Sequence, residues 1–175
     1  MKKLIFPHVS FSELRDFMET LNSLGGKTTA SNLIIAMEVG VDKFLPSLYL
    51  AELLDFVVVE NSEIELTAIG HQYVKTHRSD RRKILGEQLK HVEPFVTILN
   101  ALHKGKKLDK SEVLKLAKSK VEIYRNIEEN LRNIIQWGCF GLLFEYDGTT
   151  EEVLPRRIPR HPQVIGHGIK HPPTH

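Results

Sequence analysis

Glu52, Glu87 and Glu93 with His91 are of the residue types that do acid–base chemistry, in which a carboxylate and an imidazole pass a proton to and from a reacting group. Glu87 and His91 stand four apart, which sets them side by side on a helix, where such a pair more simply bonds across a surface or an interface. Nothing nucleophilic accompanies them. Gly26-Lys27-Thr28 has the ending of a phosphate-binding loop, but that pattern needs a glycine where Leu21 stands and a strand before it. A helical pattern precedes it instead, so the phrase reads as a helix stop. Histidines 161, 167, 171 and 175 are metal-ligand types whose spacing matches no closed zinc site. Cys139 is the single cysteine, which excludes an internal disulfide and a multi-cysteine metal cage. Trp137, at the end of an apolar helix, reads as core with its N–H on a backbone acceptor. The expectation is therefore no catalytic, cofactor-binding or metal-binding residue, no cofactor, and no enzyme.

Charge points the same way. Lysines 104, 106, 107, 110, 115, 118 and 120 make one basic patch, with Lys104, Lys106, Lys107 and Lys110 as its candidate contacts. Asp109 and Glu112 interrupt it and no aromatic residue is interleaved for base stacking, so a solvated face is the simpler reading. Lysine and arginine number 24 against 22 acids, too small an excess to imply a nucleic-acid or membrane partner. With 175 residues, 41% hydrophobic and 26% charged, the chain has the composition of a soluble globular protein. No apolar run is long enough to span a bilayer, and the opening residues lack a signal peptide's apolar core. A soluble, cytoplasmic protein without membrane insertion is expected.

The elements follow from periodicity. Ser10-Phe11-Ser12-Glu13 is a capping box opening a helix with Leu14, Phe17, Met18, Leu21 and Leu24 on one face, stopped by Gly25-Gly26. A second helix starts at Thr29 with Leu33, Ile34 and Met37 inward, and turns at Val39-Gly40-Val41. Asp42 is placed to cap a third, with Leu45, Leu48, Tyr49 and Leu53 at helical spacing. Phe56 to Val59 and Ile64 to Leu66 then form a hairpin, and Thr67 caps a closing helix in which Gly70 packs close against that hairpin. A polar joint at 76–80 leads into a long helix carrying Leu85, Leu89, Val92, Val96 and Leu99, with a kink or break near Glu93 because Pro94 sits inside it. Asp109-x-x-Glu112 and Ser119-x-x-Glu122 are further capping boxes, opening a short helix and a longer one that Trp137-Gly138 ends. Leu142 to Tyr146, Asp147-Gly148 and Thr149 to Leu154 read as a second hairpin. The predicted fold is mainly α with small β-hairpin wings: a winged-helix (helix-turn-helix) unit at 1–76, a connecting helix at 77–104, a winged-helix-like unit at 105–154, and a Pro/His-rich tail at 155–175 whose composition builds no core.

The phrases Pro7-His8-Val9-Ser10, Leu24-Gly25-Gly26, Leu45-Pro46, Ala51 to Phe56, Ile64-Glu65-Leu66-Thr67 with Gly70, Arg82-Lys83, Glu87-Gln88-Leu89 with His91, and Trp137-Gly138 with Phe144 and Tyr146-Asp147 occur in one order and spacing. In these the chain resembles the AAA-associated C-terminal domain found behind the ATPase of nitrate, sulfonate and taurine type ABC importers. The resemblance runs from Pro7 to about Leu154. It implies a regulatory or docking role beside a transporter ATPase, joined in cis or in trans, with no active site. A place at the inner membrane through that transporter is implied too. Departures gather in the second wing, where Cys139, Phe140 and Leu142 replace a basic residue, a tyrosine and an acid.

Partner type can be read from the third helix, which in a DNA-binding winged helix enters the major groove. With Leu45, Leu48 and Tyr49 inward, the outward residues would be Lys43, Pro46, Ser47 and Leu50, poorly suited to base edges. The equivalent face of the second unit offers Arg125, Glu128, Glu129, Arg132 and Gln136, where two carboxylates oppose phosphates. Specific DNA is therefore disfavoured, and a winged-helix transcription regulator is the alternative to the accessory module. Leu50 and the stripe of Leu85, Leu89, Val92, Val96 and Leu99 are the candidate interaction residues, for the ATPase or for a homodimer.

Overall fold

The computed structural model describes residues 3–103, 105–123 and 126–157. The polar segment Ser10-Phe11-Ser12-Glu13 starts α1 (Phe11–Ser23) with both halves of a capping box: the Ser10 hydroxyl accepts from the Glu13 N–H, and the Glu13 carboxylate accepts from the Ser10 N–H. Leu14, Phe17, Met18 and Leu21 go inward, whereas Leu24 is exposed. Gly25 and Gly26 stop the helix in the left-handed region, at φ 91° and 81°, which costs a glycine little. Next comes β1 (Lys27–Thr29), a strand the hydrophobic pattern does not announce. Thr29 caps α2 (Ala30–Met37) through its hydroxyl. The third helix, α3 (Val41–Leu53), starts from Gly40 without a side-chain cap, so Asp42 lies in its first turn and is not its cap. β2 (Val57–Glu60) and β3 (Glu63–Leu66) pair in register through Asn61 and Ser62, both at positive φ, the conformation that tight hairpin turns require. β1 adds to the other edge of β3, giving the order β1-β3-β2. Thr67 caps α4 (Ala68–Lys75), and a Cβ on Gly70 would collide with the Phe56 carbonyl, so the close approach needs glycine.

The long connecting helix of the sequence reading is two helices, α5 (Arg78–Leu89) and α6 (Phe95–Leu102), separated around a cis Glu93–Pro94 peptide. After α6 come β4 (Leu108–Asp109), α7 (Lys110–Lys120), α8 (Ile127–Phe140), β5 (Phe144–Asp147) and β6 (Glu152–Pro155). The sheet order is β4-β6-β5, so the series α6-β4-α7-α8-β5-β6 repeats α1-β1-α2-α3-β2-β3 in both sequence and sheet order. The second unit thus begins at α6, inside the segment assigned to the connector. Asp109 and Glu112 form the predicted box. Ser119 caps nothing: its hydroxyl donates back to the Leu116 carbonyl within α7, and α8 starts later, from Asn126. The second hairpin turns over four residues, 148–151, with the Asp147 carboxylate accepting from the Thr149 and Thr150 N–H groups. The histidine tail beyond residue 157, with Lys104, Tyr124 and Arg125, lies outside the described residues.

α5 carries two neighbouring arginines that reach opposite ways. Arg81 is bound into the first repeat: Nη1 donates to Glu19 Oε1 at 2.7 Å, Nη2 to the Val74 carbonyl and Nε to the Thr76 carbonyl, with Tyr73 under the guanidinium. Arg82 reaches the second, donating from Nε to the Phe140 carbonyl at 2.8 Å and from Nη2 to the Cys139 carbonyl at 3.3 Å, above the Phe140 ring. Between the repeats, the Phe11 ring stacks on Phe140 at 3.9 Å and meets Trp137 edge-on at 4.7 Å. Arg81→Leu leaves Glu19 with only the 3.7 Å contact from Arg78 and strands two carbonyls beside an apolar side chain, and is expected to cost about 2 kcal/mol. Thermal unfolding checks this; a melting temperature equal to that of the parent protein would refute it.

Residues 4–9 form a strap over the second repeat before the chain enters α1. Leu4 bridges Val121 in parallel and its carbonyl accepts the Glu122 N–H, while Lys3 Nζ donates to the Lys118 carbonyl. Asn133 Nδ2 donates to the Pro7 carbonyl and Trp137 Nε1 to the Val9 carbonyl at 2.9 Å. Phe6 is buried edge-on against Phe95.

Candidate docking interface

The structure rotates α3 relative to the sequence reading. Phe44, Ser47, Leu50 and Ala51 face the core, with Leu50 fully buried, whereas Val41 is 55%, Leu45 53% and Tyr49 40% exposed. Phe44 decides the phase. Its ring packs 5.8 Å from Phe17, and a residue of that size buries more apolar area than Leu45 in the same place. The inward set 44, 47, 50 and 51 leaves the residues at 41, 45 and 49, spaced four apart, as one stripe on the opposite side. Ser47 is accommodated inside by donating its hydroxyl to the Lys43 carbonyl.

Leu50 is therefore core and not contact surface. Leu85, Leu89 and Val92 are buried as well, and Val96 and Leu99 are half-buried, because the two repeats close over the stripe from both sides. Leu85, Leu89 and Val92 are thereby closed to a second molecule, while Val96 and Leu99 keep part of their surface.

The exposed stripe of α3 continues into the strap. Leu45, Pro46 and Tyr49 with Leu4, Ile5 and Pro7 line an open groove of about 650 Å³, and Ile5 is 49% exposed. Lys3 and His8 stand at its edges. Pro46 has no N–H to return to the Asp42 carbonyl, and its ring carbons add to the apolar surface of this part of α3. Partial burial pushes the Tyr49 phenol up, with Glu52 adding to the effect, so the hydroxyl stays neutral and can donate. Together these side chains form one contiguous, mostly apolar surface.

The other sequence candidates separate. Lys27, of the apparent phosphate-loop ending, sits in β1 and pairs with Glu63 at 3.3 Å and Glu65 at 3.2 Å. Of the basic patch, Lys107 is 3.4 Å from Glu152 and Lys110 is 2.7 Å from Glu151, so the second hairpin brings acids onto it. Lys106 remains exposed. His91 is exposed, and Glu93 is occupied by the Thr97 N–H and hydroxyl. Glu128, Glu129, Arg132 and Gln136 lie on the outer face of α8, as read. Cys139 and Phe140 close α8 and do not belong to the wing; their carbonyls are the ones Arg82 binds. Among the described residues no His, Cys, Asp and Glu group of three or more is placed to hold a metal, and no helix is long and apolar enough to cross a membrane.

The described residues form two six-element repeats with an apolar stripe exposed on α3. The C-terminal AAA-associated domain family matches residues 32–147, more than half of the chain, and the protein belongs to that family. An ATPase is the partner such a domain implies. No curated protein matches the sequence. Among solved structures, the restriction endonuclease FokI is similar at a TM-score of 0.60 and 15% identity, over 89% of this chain and 45% of that one. That likeness is one of fold.

Proposed function

We propose that this protein is a non-enzymatic regulatory module that docks on the ATPase of a nitrate, sulfonate or taurine type ABC importer, in cis or in trans. The observation that carries the reading is the outward stripe Val41, Leu45 and Tyr49 beside the strap groove. Each repeat is read as a winged helix, which the order α-β-α-α-β-β and the three-stranded sheet closing on a hairpin support. Docking on a transporter would place the protein on the cytoplasmic side of the membrane without insertion.

The second reading, specific DNA recognition, draws on the fold shared with a restriction endonuclease. The helix that would enter the groove argues against it. Its outer residues Val41, Leu45 and Tyr49 offer two aliphatic side chains and a phenol, and Lys43 is its single base, where base edges call for several of arginine, lysine, asparagine or glutamine.

Leu45→Asp tests the docking face on the purified protein and the purified importer ATPase of its own genome. Leu45 is half-exposed, so stability should be unchanged within about 0.5 kcal/mol, while a central contact should weaken binding by about thirtyfold. Equal binding by the folded variant rejects the face. Fluorescence anisotropy on promoter fragments addresses DNA: a competitor-resistant dissociation constant on the order of 10⁻⁸ M near physiological salt would make the second reading the better one.

A further inference from the structure

A second recess, separate from the α3 groove, lies where the two repeats meet. It encloses about 500 Å³, within the range of small-molecule sites, and its walls come from the strap and α1, from α5 and from α8. Most of its surface is apolar, with Phe11, Trp137 and Phe140 giving three aromatic rings. The charges in it are unequally satisfied. Glu13 accepts the Ser10 N–H at 2.7 Å at the positive end of α1. His8 Nε2 is 3.3 Å from Glu129. Arg82 differs: it is held by two backbone carbonyls and a ring face, all neutral, and among the described residues no carboxylate lies within ion-pair distance of it. Its Nη1 has no partner among them. A guanidinium clamped in this way keeps its full charge, is pre-positioned, and offers donors in the fork geometry that suits a carboxylate.

We propose that this recess is a binding site for a small organic monoanion, a carboxylate with an aromatic or aliphatic body, its charge on Arg82 and its body against Phe11 and Phe140, with the buried Trp137 ring packed edge-on to both. A dianion is disfavoured by the nearby Glu13 carboxylate, and a cation by Arg82. Since both repeats build the walls, the bound anion ties them together and stabilises their junction by mass action.

The test uses reporters already in the site, because Trp137 and Cys139 are the only tryptophan and the only cysteine of the chain and both line the recess. Phenylacetate and hexanoate are the probes and phenylacetamide is the uncharged control. The expected result is a saturable change in Trp137 emission with phenylacetate, with a dissociation constant on the order of 10⁻⁴ M, and slower maleimide labelling of Cys139 over the same range. Phenylacetamide should bind about tenfold or more weakly, and Arg82→Gln should weaken phenylacetate by a similar factor. Arg82 also joins α5 to α8, so Gln136→Glu is the second variant: it sets a carboxylate in the wall at an exposed position and should weaken the anion equally without touching the clamp. If Arg82→Gln does not fold, Gln136→Glu decides. The proposal is overturned if neither probe moves either reporter, if the amide binds as well as the acid, or if folded variants keep the parent affinity.

Discussion

Gly86→Val is expected to remove about 3 kcal/mol of stability or more, a large share of the roughly 5–15 kcal/mol that holds a domain folded. Gly86 lies in α5 where it crosses the end of α8, and a Cβ there would overlap the Gly141 carbonyl. The obstacle is backbone on both sides, so no rotamer change relieves it and the helices must separate. That separation would also lengthen the Arg82 bonds to Phe140 and Cys139, adding to the loss. Gly148→Ala is the control. Nothing lies within 4 Å of a Cβ at Gly148 and its φ is not in the left-handed region, so its effect should stay within about 0.5 kcal/mol. Denaturant unfolding of the pair reads the difference. Equal midpoints would show that the α5–α8 crossing is looser than described.

Trp137→Ala is expected to cost about 4 kcal/mol. The indole is 1% exposed, meets Phe11, Phe6 and Phe140 edge-on, and is the donor to the Val9 carbonyl. Alanine leaves a cavity and orphans that carbonyl at once. Loss of the bond also frees the strap, so amide exchange should accelerate at residues 4–9 beyond what the global loss explains. Trp137→Phe separates the terms. It keeps most of the ring volume and removes the N–H, and should cost about 1–2 kcal/mol while still loosening the strap. A strap as protected in both variants as in the parent protein would contradict the assignment.

Local signals marked four helix starts correctly. Ser10, Thr29, Thr67 and Asp109 cap helices where a short polar side chain precedes an apolar run, a purely local rule. Gly70 faces the hairpin because only a residue without a Cβ fits that approach, and Pro94 falls where α5 gives way to α6 because its ring does not continue a helix ladder. Tertiary decisions were not legible. β1 and β4 are two or three residues long and exist through their pairing with β3 and β6, so no periodicity marks them. The phase of α3 turned on Phe44 against Leu45, a choice between two overlapping apolar rows that a facing Phe17 settles. The same ambiguity hid the docking stripe and placed Leu50 outside. The row at Leu85, Leu89 and Val92 was real, but its partner lies on the same chain. A stripe alone does not say whether the complement is internal. Arg82 stood only in the Arg82-Lys83 phrase of the family resemblance and nothing marked its role, since its partners are backbone carbonyls, which every sequence possesses.

The strap has a mechanical meaning. From Lys3 the chain is fastened in turn to Lys118, Val121, Glu122, Asn133 and Trp137, all in the second repeat, and only then enters the first through α1. These bonds join the segment that leads into the first repeat to the body of the second, so weakening them weakens the junction of the two. Leu4, Ile5 and Pro7 belong to the same strap and also form one wall of the groove against α3. Loosening those residues changes one wall of the groove, so the groove's shape is tied to the hold that the second repeat has on the strap.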